Sequence, residues 1–472
     1  MNMNKRVALF NSPWIKEKKD VAEEDNIHLR LGIASMAAYL QKFCIEVMVV
    51  NSDEKIQREK LHAFSPHFAG LPAYTFEIYD TARTAEVIKS VLPQTKIIVG
   101  GPHPSALPRE TLEEFSVFDF VVTGEGEVTL KEIVEGNKEL EKIEGLAYRK
   151  NGQINVNFSQ NQIYSLDTIP PPAWDLYDLE KYRYICTGRR KRFRFRKKAT
   201  LLYLPIESMR GCPYHCIFCF RINDRQVRFK SVSRVIDELK RGISEFGVNK
   251  FYFIDPTFGI NKKLTIELCE NIINSGINKS ISWEVSSRVD VMDEELLALM
   301  KEAGCDTIGF GIESGDNNVL RKNGKNITCE KIKDTIKLCN KVGMTVGTSF
   351  ILGHPFETKE TIEKTIKFAK RLPVATTNFA IMVPFPGTQI RNMARDRVGG
   401  LRILTDKWDA YGKQIGMTLD LEQIPQKDLM RYQTRAYWEF YLAPKRWKYL
   451  ISHLTLDRII YSLKRIAGLI LK

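Results

Sequence analysis

Cys212, Cys216 and Cys219 stand within eight positions of one another in the stretch RGCPYHCIFCF, and no fourth cysteine accompanies them. A structural zinc site needs four ligands, and the chain has no second CxxC or HxxxH pair to complete one. His215 lies inside the loop, where a side chain flanked by cysteines cannot easily share their metal. A redox pair of Cys216 and Cys219 is conceivable in isolation but leaves Cys212 without a task. The other six of the nine cysteines (Cys44, Cys186, Cys269, Cys305, Cys329 and Cys339) are scattered singly. That pattern suits a reducing compartment, where free cysteine behaves as a small apolar residue. One arrangement uses three thiolates and leaves a place open. A [4Fe–4S] cubane takes a thiolate on each of three irons, and its fourth iron is then free to bind another molecule.

Such a loop has to be held at the end of a rigid element. TLLYLPIES (200–208) reads as a strand leading straight into it. Five further strands follow: KFYFID (250–255), SWEVSS (282–287), TIGFGIES (307–314), TVGTSFILG (345–353) and NFAIMVPF (378–385). Helical patterns at 234–246, 263–275, 294–304, 328–341 and 359–371 separate them. Six strand–helix units predict a partial (β/α)6 TIM-like barrel, in which the loops after the strands carry the chemistry. Upstream, RVALFN (6–11), IEVMVVN (45–51), FAGLPA (68–73), KIIVGG (96–101) and FDFVVTG (118–124) are apolar runs. Helical patterns at 30–43 and 81–92 lie between some of them. This alternation predicts a doubly wound, Rossmann-like parallel sheet that binds ligands at the carboxyl ends of its strands. The expected division is a Rossmann-like domain over 1–150, a linker with IPPPAWDLYDLEKY (169–182) and a basic run over 151–198, the barrel over 199–395, and a small helical extension over 396–472.

The segment 199–390, with its CxxxCxxC loop, resembles the radical S-adenosylmethionine superfamily. The resemblance implies that Cys212, Cys216 and Cys219 ligate the cluster and that S-adenosylmethionine chelates the open iron. An electron from the cluster then splits the sulfonium to yield a 5′-deoxyadenosyl radical, the cofactors doing the hard chemistry. It further implies that Phe218 packs near the adenine and that Asp255 binds the methionine amino group, with Pro256 where many relatives carry a second aspartate. Glu313 and Ser314 would contact the ribose, Gly353 would lie near the adenine, and Arg288 would help hold the carboxylate. Each has a plainer reading, Asp255 as a helix cap and Glu313 or Arg288 as half of a structural ion pair.

The glycine turns VGGPHPSALPRETL (99–112) and VVTGEGE (121–127), with GLPAYT (70–75), are weak signals alone. Placed before such a barrel they resemble the cobalamin-binding domain of one subgroup, which includes radical methylases and relatives of the anaerobic Mg-protoporphyrin ester cyclase. Thr75, Gly100, Gly101, His103, Gly124 and Glu125 are the implied cobalamin contacts, with backbone amides of the glycine loops meeting the nucleotide tail. The D-x-H-x-x-G loop that supplies a cobalt-binding histidine is missing, since DNIHLRLG (25–32) has the wrong spacing for His28.

The implied activity is methylation of an unactivated carbon through methylcobalamin. A radical cyclisation or rearrangement on the same scaffold is the alternative. A methylthiotransferase fits less well, because only Cys44 lies where a second cluster would. An electron donor of flavodoxin or ferredoxin type is implied as partner. The net charge of +14 includes eight basic residues in RRKRFRFRKK (189–198). The run reads as a solvated loop, or as a grip for an anionic membrane or for part of a lipid-like substrate. A nucleic-acid or membrane-surface binding protein with a vestigial cluster fold is the reading from another class, and no nucleic acid is expected as partner. The C-terminal stretch groups Ile459, Leu463, Ile466 and Ile470 opposite Lys464, Arg465 and Lys472, as a docked or a membrane-lying helix would. No stretch reaches a membrane span and the N-terminus lacks a signal-peptide pattern, so a cytoplasmic protein is expected, either free or peripheral at the inner face of the membrane.

Overall fold

The computed structural model describes residues 5–12, 29–50, 54–158, 163–180, 182, 202–220, 226–412 and 418–446. His28, the basic run 189–198 and the amphipathic stretch 457–472 lie outside the described residues.

The N-terminal part is a seven-stranded sheet: β1 (Arg6–Phe10), β2 (Glu46–Val50), β3 (Phe68–Pro72), β4 (Lys96–Gly100), β5 (Phe120–Val122), β6 (Leu146–Lys150) and β7 (Gln153–Val156). Its order is β2-β1-β3-β4-β5-β6-β7, with β1 to β5 parallel and the last two antiparallel. Six helices connect it: α1 (Leu31–Lys42), α2 (Glu54–Phe64), α3 (Ile78–Val91), α4 (Pro102–Ala106), α5 (Pro108–Glu114) and α6 (Gly126–Glu135). Side chains alternate across a strand, so β1 shows how both faces are covered. Val7 and Leu9 join Leu31 and Leu130 in one apolar cluster, while Ala8 and Phe10 join Leu61 and Ile78 in the other. The order reverses between β1 and β3, and the ligand crevice of such a sheet opens there. The sequence reading does not include the β6–β7 hairpin or helices α2, α4, α5 and α6. The hairpin turns on Asn151 and Gly152, both at positive φ, as a two-residue hairpin loop requires.

The second body holds β8 (Tyr203–Ile206), the short pair β9 (Met209–Arg210) and β10 (Arg228–Phe229), then β11 (Lys250–Phe253), β12 (Ser282–Ser287), β13 (Cys305–Glu313), β14 (Thr345–Leu352) and β15 (Thr376–Ile381). Strands β8 and β11 to β15 form one parallel sheet in chain order, the six strands that the sequence predicts. The intervening helices are α7 (Val232–Ser244), α8 (Lys262–Asn274), α9 (Glu294–Glu302), α10 (Asn317–Lys322), α11 (Cys329–Lys341), α12 (Lys359–Arg371) and α13 (Gln389–Arg395). Side chains of Ser231, Asn261, Asp293, Asp316, Thr328, Thr358 and Thr388 accept a backbone N–H at the starts of all seven helices. Such caps satisfy donors that the helix itself leaves free.

The proline-bearing stretch expected as a linker is packed rather than loose. Trp174, Tyr177 and Tyr182 are buried in the cluster that runs from β1 into the barrel strands. Asn11, just past β1, donates its side-chain Nδ2 to the Tyr182 hydroxyl at 3.1 Å, and the Tyr177 hydroxyl donates to Asn11 Oδ1 at 3.4 Å. Beyond the barrel come a small antiparallel pair, β16 (Leu401–Ile403) and β17 (Leu419–Leu421), and helix α14 (Gln426–Tyr441). Helix α14 covers the open edge of β15. The Tyr441 hydroxyl accepts from Thr377 N–H at 3.2 Å and donates to its carbonyl at 2.9 Å, and the Tyr437 hydroxyl accepts from Phe379 N–H at 3.1 Å. An unpaired strand edge is thereby satisfied by side chains. Among the described residues no helix is long and apolar enough to cross a membrane.

Candidate functional site

The three cysteines lie in the irregular segment 211–220, at the carboxyl end of β8. Gly211, at φ +88°, turns the chain into it. Inside the loop Cys219 N–H donates to the Cys216 carbonyl at 3.1 Å, and Ile217 N–H donates to the Asn323 carbonyl at 3.2 Å. Cys212 Sγ lies 3.8 Å from Thr257 Oγ1, and Cys216 Sγ lies 4.0 Å from the Gly324 carbonyl. Gly324 has φ +68°, and a Cβ there would run into the His215 backbone, so this close approach needs glycine. Burial pushes the Cys216 thiol up, and the nearby Lys325 and Arg288 cations act against that. Among the described residues no three His, Cys, Asp or Glu side chains converge on a single ion. A cubane makes no such demand, because each thiolate takes its own iron.

Two cations and a carboxylate line the barrel mouth beside this loop. Arg288, following β12, donates to both oxygens of Asp290 at 2.9 Å and to the Lys325 carbonyl at 2.6 Å, and its guanidinium lies 3.7 Å from the centre of the Tyr214 ring. Its Nη1 is buried and has no partner. Lys325 Nζ donates to Glu313 at 3.3 Å. Glu313 closes β13 at φ +72°, a left-handed backbone that costs a non-glycine residue of order 1 kcal/mol and recurs at functional sites. One turn further along the sheet, Glu357 accepts from the N–H groups of Gly353 and His354 at 2.7 and 3.0 Å. The His354 ring meets Phe218 edge to face at 6.1 Å, so Phe218 and the Gly353 turn do come together.

Other candidates carry different loads. Asp255 is buried and its carboxylate faces inward, accepting from Ser208 N–H at 2.8 Å, Met209 N–H at 3.2 Å and the Ser208 hydroxyl. It pins the turn that leads into the cysteine loop, which is not the helix cap of its plainer sequence reading. Ser314 is fully buried, and its hydroxyl is shared with Thr365 and with Asp316 N–H.

In the N-terminal sheet, Thr75, Gly100, Gly101, His103 and Gly124 all lie at the carboxyl ends of β3, β4 and β5. Gly101, at φ +109°, passes so close to Ala73 that a Cβ would lie 2.9 Å from its carbonyl oxygen. His103 is buried against Trp408, ring centres 5.0 Å apart, with Nδ1 unpartnered. Glu125, expected at the cobalamin, instead places its carboxylate on Arg228 and Arg210 of the barrel. A charged group taken from water needs its partner close by, and here that partner is two guanidinium groups.

The donor sets fit the implied groups. Three thiolates serve a cluster, an unpartnered buried guanidinium N–H beside them suits a carboxylate, and the glycine-walled crevice suits a ligand approaching backbone. A family described as Radical SAM superfamily matches residues 206–369, and one described as B12 binding domain matches residues 18–134. An uncharacterized methyltransferase of Pyrococcus horikoshii, PH0819, is 35% identical over 387 residues, covering 81% of this chain and 80% of its own. The chain belongs to the radical S-adenosylmethionine enzymes that carry a B12-binding domain. Their cofactors, a [4Fe–4S] cluster, S-adenosylmethionine and cobalamin, are therefore its own. The anaerobic magnesium-protoporphyrin IX monomethyl ester cyclase of Cereibacter sphaeroides is 29% identical over 377 residues, covering 78% of this chain and 59% of that one. The fold is that of the radical S-adenosylmethionine methyltransferase TsrM from Kitasatospora setae, solved with cobalamin and a [4Fe–4S] cluster bound. That likeness has a TM-score of 0.70 at 16% identity and covers 92% of this chain and 91% of the other.

The sequence reading passed over Lys325, Tyr214, Gly324, Glu127 and Arg210. Arg210, Tyr214 and Glu127 had a visible signal, the first adjoining the cysteine loop, the second inside it and the third inside the TGEGE turn.

Proposed function

We propose that this enzyme transfers a methyl group to carbon, with cobalamin as methyl carrier. The observation that carries the reading is the loop of Cys212, Cys216 and Cys219 beside the unpartnered Nη1 of Arg288, in a barrel joined to a B12-binding domain. When bound, the reduced cluster supplies the electron that cleaves S-adenosylmethionine, and cobalamin supplies the methyl carrier. The three cysteines hold the cluster. Arg288 Nη1 binds the carboxylate of S-adenosylmethionine, and Asp290 and Tyr214 keep the guanidinium in place. Glu313 takes the ribose hydroxyls, and Phe218 with the Gly353 turn flanks the adenine. The glycine turns at Gly100, Gly101 and Gly124 let the cobalamin approach backbone, as their missing side chains permit. The substrate is a small molecule, and the electrons come from a flavodoxin- or ferredoxin-type donor. The eight charges of 189–198 support a substrate with an anionic or lipid-like part, or attachment to an anionic membrane surface.

The name of the Pyrococcus relative supports methyl transfer. The cyclase likeness supports a second reading, radical ring closure without a net methyl transfer. Anaerobic protein, reconstituted with iron, sulfide and cobalamin, is to be incubated with S-adenosylmethionine carrying a deuterated methyl group, a reductant and candidate substrates. Methyl transfer yields S-adenosylhomocysteine with 5′-deoxyadenosine, and the label appears in the product. Turnover with deoxyadenosine alone and no label transferred would overturn it in favour of the cyclase-like reading.

A further inference from the structure

Glu125 stands at the N-cap of α6 and Glu127 in its first turn, and both carboxylates are buried against arginines of the second body. Arg210 Nη2 donates to Glu127 at 2.7 Å, its Nη1 lies 3.4 Å from Glu125, and its Nε donates to Glu207 at 3.0 Å. Arg228 stands beside Arg210 as its ladder partner across β9 and β10. Through Nη1 it donates to Glu125 at 3.0 Å and to the Ile163 carbonyl at 2.7 Å, and through Nη2 it reaches the other Glu125 oxygen. None of these five side chains is more than 13% exposed. Burial pushes the Glu207 carboxyl up, while Arg210 holds Glu127 below the ordinary carboxylate range in spite of its burial.

Buried ion pairs roughly break even with apolar packing of the same volume, so five buried charges are a poor device for stability. What they fix is geometry. A guanidinium fork accepts carboxylates only in a narrow set of planar arrangements, and two adjacent forks restrict it further. Arg210 is two residues from Cys212, on the strand pair that delivers the cysteine loop. Glu125 and Glu127 follow directly on Gly124, at the carboxyl end of β5, on the rim of the crevice of the B12-binding domain. The network thus ties a strand that leads into the cluster loop to a turn at the carboxyl end of β5.

We infer that Arg210 and Glu127 are positioning residues, which set where the cluster loop stands relative to the cobalamin crevice. Misplacement by about 1 Å costs a reaction of this kind on the order of a hundredfold in rate, so a rigid tie between the platforms is a functional requirement. The inference rests on the presence of both cofactors and is independent of whether the product is methylated.

The test uses Glu127→Gln, which keeps the shape and removes the charge, and Arg210→Lys, which keeps the charge and removes the fork. The reduced cluster and cob(II)alamin are both paramagnetic, so pulsed electron paramagnetic resonance reads the distance between them in the loaded enzyme. Both variants are expected to retain wild-type iron and cobalt yet show a shifted or broadened distance distribution. In the cofactor-free chain, amide exchange at 209–219 is expected to rise by about tenfold or more, with β13 and β14 unchanged. An unaltered distance distribution with unaltered exchange at 209–219 would overturn the inference. Exchange rising uniformly through the barrel would overturn it too, marking a merely structural role. A protein that takes up iron but no cobalamin would sink the cobalamin reading and this inference with it, whereas full uptake of both with an unaltered distance and unaltered exchange would sink this inference alone.

Discussion

Lys325 donates to Glu313 at 3.3 Å directly over Gly311, next to the loop that carries Cys216. Both partners are buried, and the ion pair holds a carboxylate at the end of β13 where the backbone is left-handed. The arrangement exists because position 311 has no side chain, and it makes this pair the most readily tested part of the site.

Gly311→Ala places a Cβ 3.2 Å from Lys325 Nζ and against the Glu313 carboxylate. Both obstructed groups are flexible ends, so the cost in stability is expected to stay within about 1 kcal/mol. S-adenosylmethionine affinity, read by calorimetry on the reconstituted protein, is expected to fall about tenfold, equivalent to roughly 1.4 kcal/mol. Unchanged affinity would remove Glu313 from the S-adenosylmethionine site.

Replacement of Cys212, Cys216 and Cys219 together by alanine is expected to abolish iron and sulfide uptake on anaerobic reconstitution. Cobalamin binding should survive, since the crevice belongs to the other sheet. Retention of full iron by the triple variant would refute the cluster assignment.

Axial ligation of cobalt has its own signature. His103 is packed against Trp408, so the cob(II)alamin spectrum is expected to lack nitrogen superhyperfine splitting and to be the same in His103→Ala. Splitting that disappears in that variant would show His103 to be the cobalt ligand.

Four buried groups with large shifts contribute to the pH dependence of stability. Burial lowers His103 and His354 to about 4 from an ordinary 6.5, so the unfolded chain binds more protons between those values. Their contribution is complete above 6.5 and is lost as pH falls toward 4. Burial raises Asp255 to about 7 and Glu357 to about 8, so their contribution is complete below the ordinary carboxylate range and is lost as pH rises to those values. The pairs oppose each other between about 4.5 and 6.5, and only the carboxyl loss remains from there to 8. Thermal unfolding of the cofactor-free chain is therefore expected to be level over the first interval and to decline over the second. Glu357→Gln should remove most of that decline, and a decline identical to wild type would show that Glu357 ionises freely.

Tyr441→Phe withdraws the hydroxyl that both donates to and accepts from Thr377 at the edge of β15. A loss of about 1–2 kcal/mol is expected in denaturant unfolding, with faster amide exchange at Thr377. No loss would mean that water replaces the hydroxyl at this edge without penalty.

Local pattern was enough for much of this. The cysteine spacing, the six strand–helix units and the buried strands of the first sheet depend on neighbours within a dozen residues, and periodicity reports such neighbours directly. The hairpin at Asn151–Gly152 had a legible turn of the same kind. Partner choice among charged residues is another matter. Asp255 and Glu125 both follow buried strands, and from sequence either could face a ligand. Asp255 turned to Ser208, 47 residues back, and Glu125 to Arg228, 103 residues on. Likewise the prolines of 169–182 mark a break in regular structure, but only the fold shows Trp174, Tyr177 and Tyr182 filling the core beside them. A buried carboxylate must find a donor and an aromatic ring must find a cavity. Which donor and which cavity come within reach depends on how the two sheets are brought together, and no local pattern in the chain encodes that distance.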